Sequence, residues 1–223
     1  MKIYSRIEEF FGKKQFRDEK LIKLQERFQA LKTVFYGVEF TNERRDSCDC
    51  ILAVKEDLLD FVVEDIERGE NLISKVEEKD AIEKGLEILN REKLLFEELS
   101  GDDLKVFRDY SFVTAKPIIV WDQEDLDQIL LKIFEKTKTV FFYAAGKKEV
   151  HAWMVPIGSD VVTAASKIHS DLARGFIRAE VYNASDLDNF KNLAEAKQRG
   201  LLKLVDKSYI VNDGDVLDVK FSV

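Results

Sequence analysis

The order of strands and helices in the C-terminal third of this 223-residue chain constrains its fold most strongly. Two aromatic and β-branched runs, 141–143 and 150–155, are separated by the charged turn Gly146-Lys147-Lys148-Glu149, which is typical of a β-hairpin. An amphipathic helix is expected from about Asp160 to Gly175, because apolar residues recur there at three- and four-residue spacing. These elements predict a small sheet packed on one helix.

The rest of this segment continues the mixed pattern. The expected elements are a strand at 176–182, a polar helix at 185–199, a strand at 209–211, a tight Asn212-Asp213-Gly214 turn and an alternating strand at 216–223. Together they predict one domain, residues 139–223, in which a sheet wraps over a helix.

Three blocks of this segment are long enough to suggest a known family. They are 141–153 (FFYAAGKKEVHAW), 168–181 (IHSDLARGFIRAEV) and 209–216 (YIVNDGDV). Each block resembles the C-terminal TGS domain, a ubiquitin-like β-grasp module, of the YchF (Obg-like ATPase) family. That family normally consists of three-part proteins that hydrolyse ATP or GTP, so the resemblance raises the question of whether the remaining residues keep that chemistry.

The N-terminal part of the chain predicts an α/β platform. A helix is expected at 17–32, and the almost wholly apolar run 48–54 predicts a strand that is buried on both faces. Further strands are expected at 34–40 and 114–121, and a helix at 123–136. Parts of these segments resemble the nucleotide domain of the same family, more weakly than the C-terminal blocks do. The resemblance implies a degenerate α/β domain made of residues 1–54 and 110–138.

Residues 55–109 predict a different kind of structure, an arm of antiparallel helices. Apolar residues follow one helical face before Lys79-Asp80 and another after it, and Asp80 with Glu83 forms a possible capping box. A third, short helix is expected from about Ser100. The segment resembles the helical arm that the YchF family inserts in its nucleotide domain. We therefore predict an α+β protein of three parts.

The motifs for nucleotide hydrolysis are missing from the sequence. The pairs Gly12-Lys13 and Gly146-Lys147 are each followed by lysine, whereas a P-loop needs Ser or Thr to hold magnesium. The family's D-x-x-G would fall at 42–45, where the chain has Asn42-Glu43-Arg44-Arg45, and its base-reading asparagine is replaced around Trp121-Asp122-Gln123. We therefore expect a remnant without its first strand and P-loop, which does not hydrolyse ATP or GTP and needs no cofactor or metal ion.

The charge distribution, the cysteines and the apolar runs argue against several kinds of site and protein. Residues 55–109 hold 18 acidic and 9 basic side chains, so nucleic-acid binding is not expected there. Cys48 and Cys50 are two residues apart in a predicted strand and favour buried thiols over a metal site. The chain has no run approaching the roughly 20 apolar residues of a membrane helix and no signal-peptide pattern, so we expect a cytoplasmic protein without membrane partners.

The candidate binding residues lie in the TGS-like segment. Trp153 and His151 share one face of a strand and, if exposed, could form an aromatic and basic platform for a base or a phosphate. Trp153 could equally be a core residue, and His169 could simply cap the C-terminus of its helix. The full set of ligand- or partner-binding candidates is Lys147, Lys148, His151, Trp153, His169, Arg174 and Arg178.

Three functions remain open on the sequence. The first is a non-catalytic binding or regulatory protein whose TGS domain docks a protein, the ribosome or RNA, within translation or the stress response, as the resemblance implies. The second is a YchF-like protein that still binds ATP or GTP in a rebuilt site. The third is a structural scaffold that forms homodimers. An open edge of the truncated platform sheet could be covered by the N-terminal residues or by a second chain.

Overall fold

The computed structural model describes residues 1–222 and shows a mixed α/β architecture with two sheets. The α-helices are α1 Glu19–Phe28, α2 Asp57–Leu72, α3 Lys79–Leu89, α4 Leu95–Glu98, α5 Gly101–Asp109, α6 Leu126–Lys136, α7 Val161–Ile168, α8 Ser170–Arg174 and α9 Leu193–Gln198. The strands are β1 Lys2–Ser5, β2 Gly12–Gln15, β3 Thr33–Val34, β4 Gly37–Thr41, β5 Cys50–Ala53, β6 Ile118–Val120, β7 Thr139–Ala145, β8 Val150–Pro156, β9 Phe176–Asn183, β10 Lys203–Val205 and β11 Asp215–Phe221.

The chain divides into two compact units that differ from the three predicted parts. The first unit consists of residues 1–14 and 38–137, so the helices of 55–109 belong to the same unit as the platform sheet. The second unit consists of residues 15–37 and the chain from Lys138 onward. Residues 15–37 were expected in the platform, and the structure places them with the C-terminal segment instead.

The first unit is built on a sheet with the strand order β2-β4-β1-β5-β6. β1 pairs in parallel with β4 and β5, and β5 pairs in parallel with β6. All four residues of β5 are buried, which confirms the expectation from its apolar sequence. The prediction of a platform without its first strand was wrong, because β1 lies in the centre of the sheet. Ile3 of β1 is fully buried in this sheet.

The helices α2 to α5 of the first unit share a hydrophobic core with the segment that leads into β6. Ile82, Leu89 and Phe107 are buried in that core. Gly85 is needed at the crossing of α3 and α5, since a Cβ atom there would lie 2.2 Å from the Phe107 ring. The predicted capping box is absent, because α3 begins at Lys79 and its N-cap, Glu78, makes no side-chain capping bond. The helical arm is therefore a packed part of the first unit.

Asp65 connects α2 to the chain before β6. Its side chain is fully buried and accepts hydrogen bonds from the backbone N–H groups of Val113 and Thr114, at 2.8 and 2.7 Å. The Thr114 hydroxyl donates a third bond at 2.6 Å. Buried polar groups that are fully paired fix one arrangement of the elements they connect. Asp65 is therefore a structural residue.

Both cysteines are buried, as predicted, and this leads to a simple test. Cys48 and Cys50 are 2% and 0% exposed, and burial raises the pKa of both thiols. Because the thiolate is the reactive form, we expect a disulfide reagent at pH 8 to react about 100-fold or more slowly with the native than with the denatured protein. Absorbance of the released chromophore measures both rates. One rapidly reacting thiol in the native protein would contradict this burial.

The second unit contains the predicted hairpin. Its sheet has the order β10-β9-β11-β7-β8-β3, with β7 antiparallel to β8 and parallel to β11. The helical segment lies against one face, where Val161, Ala164 and Ala165 are buried with strand residues. Asp160 caps α7, accepting a bond from the Thr163 N–H at 2.7 Å. Glycine is required at position 175, where a Cβ atom would lie 2.1 Å from the Ser222 carbonyl oxygen.

Residues 15–37 complete this second unit. α1 packs against β7 and β8, with Leu21 and Leu24 fully buried. Asp18 caps α1 by accepting from the Lys20 N–H at 2.9 Å and also accepts from the buried Tyr143 hydroxyl at 2.7 Å. β3 then pairs in parallel with β8. The C-terminal sheet therefore depends on a helix and a strand from more than a hundred residues earlier in the sequence.

Several predicted boundaries differ from the structure. The helix expected at 160–175 is broken at His169, whose extended backbone separates α7 from α8. The segment 34–40 forms two strands, β3 and β4, that belong to different sheets. The polar helix at 185–199 is a 3-10 turn at Ala184–Asn189 followed by α9, and the strand expected at 209–211 is an isolated bridge between Asp160 and Ile210.

Candidate ligand groove in the second unit

An open groove of about 340 Å³ lies between the β7–β8 hairpin, the α7–α8 segment and β11. We call it the hairpin groove. Ile168 and Leu172 from the helices face Leu217 and Val219 from β11, so its walls are largely aliphatic. The complete lining is Ala144, Ala145, Gly146, Glu149, His151, Ile168, Leu172, Leu217, Asp218 and Val219. The groove therefore offers an apolar cleft with polar groups at its hairpin end.

His151 and Trp153 lie on one face of β8, as the sequence predicts. Their rings are stacked, with centroids 4.0 Å apart and an angle of 18° between the planes. His151 is a quarter exposed and lines the groove, whereas Trp153 packs against the core of the unit. The indole Nε1 of Trp153 is buried and has no hydrogen-bond partner within residues 1–222. Both interpretations of Trp153 are thus partly right, since it is a core residue that supports an accessible imidazole.

Glu149 fixes the position of the His151 ring. One carboxylate oxygen lies 3.1 Å from His151 Nδ1, and the other accepts a bond of 2.6 Å from Lys32. These bonds, that of Lys32 first, lower the pKa of Glu149. A lowered folded-state pKa contributes stability that is present above the ordinary pKa of glutamate and is lost as the pH falls through the lowered value. At neutral pH the carboxylate is therefore ionised and its charge is already paired.

The other carboxylates beside the groove are also paired. Asp171 receives a bond of 2.7 Å from Arg174, and Asp218 receives one of 2.6 Å from Lys220. Each negative charge near the groove therefore has a cation in contact with it. The acidic side chains therefore contribute little uncompensated negative charge to the surface beside the groove.

Three lysines near the groove have no such partner. Lys147 and Lys148 lie in the exposed hairpin turn beside Glu149, and Lys167 lies exposed on α7 beside Ile168. None of the three forms an ion pair with a residue that the structure describes. The surroundings of the groove therefore carry uncompensated positive charge, which favours an anionic ligand.

His169 and Arg174 lie on the α8 side of the groove, close to Leu172. His169 is the C-cap residue of α7, as expected, and its backbone N–H donates to the Ala165 carbonyl. Its Nδ1 also accepts a bond of 3.1 Å from the Asp171 N–H at the start of α8. Arg174 is largely exposed even though it contacts Asp171. Both side chains are exposed, and neither of them lines the groove.

Arg178 does not belong to this site. It alternates along β9 with Ala179 and Val181, which lie in the core that Trp153 contacts. Since successive side chains of a strand point to opposite faces, Arg178 lies on the face away from His151 and Trp153. The prediction that Arg178 joins the platform was wrong, because the alternation of its own strand turns it away.

Sequence reasoning missed the aliphatic walls and Lys32. The residues Ile168, Leu172, Leu217 and Val219 have the spacing of ordinary core positions, and only the packed structure shows that a groove remains between them. Lys32 is more than a hundred residues from Glu149 in sequence. The alternating apolar pattern of 216–223 was the one signal that pointed to the β11 wall.

The first unit has a second place where a ligand is normally sought, the carboxyl edge of its parallel strands. Here Phe10, which follows β1, is buried against Phe40 near the end of β4 and Trp121 after β6, with ring centroids 5.6 Å apart in both pairs. The segment after β1 forms a 3-10 turn, Glu8–Phe10, with two acidic residues. An aromatic cluster and carboxylates thus occupy the edge at which phosphates would bind.

The loop after β4 is also unlike a metal or phosphate loop. Arg45 lies between the rings of Tyr4 and Phe61, at 5.8 and 5.7 Å from their centroids, and contacts Glu64 of α2. Within residues 1–222, no group of three or more His, Cys, Asp or Glu side chains is placed to hold a metal ion. The same part of the chain contains no helix that is both long and apolar enough to cross a membrane.

Comparisons with known proteins concern the fold and the C-terminal domain. Residues 139–222 match the family model YchF-GTPase_C, described as a protein of unknown function (DUF933). The fold is similar to the structure of the Schizosaccharomyces pombe YchF GTPase, with a TM-score of 0.79, 16% identity, and coverage of 93% of this chain and 86% of that one. The chain thus has a mixed α/β fold of the YchF type with a TGS-like C-terminal domain.

The protein is also similar in sequence to named relatives. The chain is 31% identical over 217 residues to the ribosome-binding ATPase YchF of Bacillus subtilis (strain 168), and the match covers 93% of this chain and 57% of that protein. It is 38% identical over 102 residues to the protein of the same name from Pasteurella multocida (strain Pm70), covering 46% of this chain and 28% of that protein. This protein is therefore related to the YchF family. The chain spans between about a quarter and somewhat over half of the length of these relatives.

Proposed function

We propose that this protein is a non-catalytic binding or regulatory protein that uses its TGS-like domain to associate with the ribosome in the cytoplasm. The observation that carries the proposal is the hairpin groove, whose walls are largely aliphatic and which has the exposed lysines Lys147, Lys148 and Lys167 next to lining residues in the sequence. A relative over most of this chain is named a ribosome-binding ATPase, which supports the ribosome as the partner. The groove supplies an accessible surface for such an association.

Three features support the absence of hydrolysis. Gly-rich backbone and a lysine must surround the phosphates of a bound nucleotide, and a hydroxyl or carboxylate must hold magnesium. In this chain the turn after β1 carries Glu8 and Glu9, and the edge above it is filled by the ring of Phe10. Arg45, in the loop after β4, is held by Glu64 and two aromatic rings. The two glutamates would repel phosphate, the Phe10 ring would exclude it sterically, and the charge of Arg45 is already paired with Glu64.

The chemistry of the groove favours RNA as the ribosomal component that binds. A base can stack on the partly exposed ring of His151, which is itself stacked on Trp153, and the lysines Lys147 and Lys148 can neutralise phosphates. A single-stranded segment would then lie against the aliphatic walls without needing base-specific contacts.

Cosedimentation of the full chain with ribosomes at several salt concentrations tests this proposal. Reversing the charge of the turn, Lys147→Glu with Lys148→Glu, is expected to weaken binding about tenfold or more. The salt dependence should fall by about one counterion for each phosphate that is no longer neutralised. His151→Ala should weaken binding about fivefold, since base stacking contributes about 1–3 kcal/mol per base.

A matched control keeps the net charge equal. Lys203→Glu with Lys207→Glu changes two exposed lysines at the far edge of the same sheet and should leave binding within about twofold. Equal losses for both double variants would show that the groove is not the binding site. In parallel, thermal unfolding is measured with millimolar ATP or GTP and magnesium. Saturation at 100 times Kd stabilises by about 2.7 kcal/mol, so a clear shift would show that a rebuilt site binds the nucleotide. Phosphate release would overturn the non-catalytic assignment.

A further inference from the structure

One face of α2 in the first unit combines exposed apolar side chains with carboxylates. Leu59 and Val63 are 55% and 46% exposed and lie one turn apart. At 3.6 residues per turn, the surrounding exposed positions fall within an arc of about 100° and extend for about 20 Å. We call this face the α2 stripe, and it consists of Glu56, Leu59, Asp60, Val63, Glu67 and Glu70.

The charges of the stripe differ from those beside it. Asp57 and Glu64, on the flanks of the same helix, are paired with arginines. In contrast, the four carboxylates of the stripe have no ion pair or side-chain hydrogen bond with any residue between 1 and 222. Two of the neighbouring pairs, Glu56 with Asp60 and Glu67 with Glu70, have like charges at a helical spacing that is destabilising.

We propose that the α2 stripe binds an amphipathic protein helix whose apolar side chains are flanked by lysine or arginine. Leu59 and Val63 would supply the apolar contact, and the carboxylates on both sides would pair with the cations of the partner. Such a partner relieves the repulsion within α2 and covers the two exposed apolar residues at once. This proposal is independent of the groove, because it uses different residues of a different unit.

The net charge of the first unit argues against nucleic acids and anionic membranes as partners of the α2 stripe. The first unit has 29 acidic and 18 basic side chains, a net charge of −11. Nucleic acids and anionic membrane surfaces would therefore be repelled by the stripe, whereas a basic protein segment would be attracted. An acidic surface alone would attract any cation, but the apolar pair in its centre requires apolar side chains at helical spacing.

Binding of a defined peptide to the full chain tests the proposal. The probe is a labelled 18-residue peptide of leucine and lysine at helical spacing, and its comparison peptide has the same composition in an order without that periodicity. Fluorescence anisotropy at physiological salt should give at least tenfold tighter binding for the patterned peptide. Leu59→Ser with Val63→Ser, and separately Asp60→Asn with Glu67→Gln, should each weaken it about fivefold or more.

The matched control is Glu83→Gln with Glu87→Gln on α3, two exposed acidic residues one turn apart. It should change binding less than twofold. Equal weakening by the control, or equal binding of both peptides, would overturn the proposal, and so would the absence of binding. Hydrogen exchange of the unaltered protein gives a readout that needs no variant, since the bound peptide should protect α2 and leave α3 unchanged.

Discussion

Substituting Asp65 with alanine is expected to destabilise the first unit by about 3–5 kcal/mol. The substitution leaves three buried donors without an acceptor, namely the N–H groups of Val113 and Thr114 and the Thr114 hydroxyl. Each unsatisfied buried group costs about 1–3 kcal/mol, and removing the cost of burying the carboxylate recovers part of the sum. Hydrogen exchange measured by mass spectrometry should show faster exchange throughout α2 to β6.

Two further variants separate this role from a general effect of charge. Asp65→Asn keeps the size of the side chain but presents an NH2 group to at least one donor, so we expect it to be nearly as destabilising as alanine. Glu87→Ala removes an exposed carboxylate of α3 and should change stability by less than about 0.5 kcal/mol. If Asp65→Ala were as mild as Glu87→Ala, the buried hydrogen bonds would not hold α2 to the segment before β6.

Substituting Asp18 with alanine is expected to destabilise the second unit by about 2–4 kcal/mol. The variant removes the N-cap of α1, which is typically worth about 1 kcal/mol, and leaves the buried Tyr143 hydroxyl without its acceptor. Hydrogen exchange should increase in residues 15–37 and in the C-terminal sheet together, because both belong to one unit. An increase confined to α1 would contradict the assignment of this helix to the C-terminal unit.

A double-mutant cycle with Tyr143→Phe gives the control. Phenylalanine removes the donor, so Asp18→Ala should be less costly by about 1 kcal/mol or more in that background. Asp18→Asn retains an acceptor for the cap and should restore much of the stability. Additive effects of the two substitutions would show that the bond between α1 and β7 contributes nothing.

The sequence was sufficient for the elements whose signals are local. The hairpin, the strand at 176–182 and the buried strand at 48–54 were all predicted with small errors at the boundaries, because turn residues and apolar alternation mark them directly. The break between α7 and α8 was missed since the apolar spacing continues through His169. The spacing of apolar residues indicates which face of a helix is buried. It does not indicate that one residue within the segment has an extended backbone.

The placement of residues 15–37 could not be derived in the same way. The apolar face of α1, with Leu21 and Leu24, shows that the helix covers something but does not identify which sheet it covers. The segment 34–40 appeared as one strand because both of its halves are β-forming, and the change of sheet at Gly37 has no counterpart in the pattern. Non-local pairing therefore accounts for most of the wrong boundaries.

The candidate groove was predicted in part for the same reason. His151 lines the groove, and Lys147 and Lys148 lie in the turn beside it, as a hairpin sequence implies for such close neighbours. Their role in binding stays a prediction. Arg178 was misplaced, and Lys32 was overlooked, since each depends on how separate strands are arranged. The pattern of residues along one strand predicts which of its side chains share a face. The full set of residues at a site can be known only from the tertiary structure.

The participation of α1 in the C-terminal sheet has a consequence for how the protein is made. Asp18 and Tyr143 are separated by 125 positions, and a ribosome adds about 5–20 residues per second. The apolar face of α1 thus emerges roughly 6–25 s before the strands that will cover it. During that interval Leu21 and Leu24 are available to chaperones, and the second unit can form only after β11 has been synthesised.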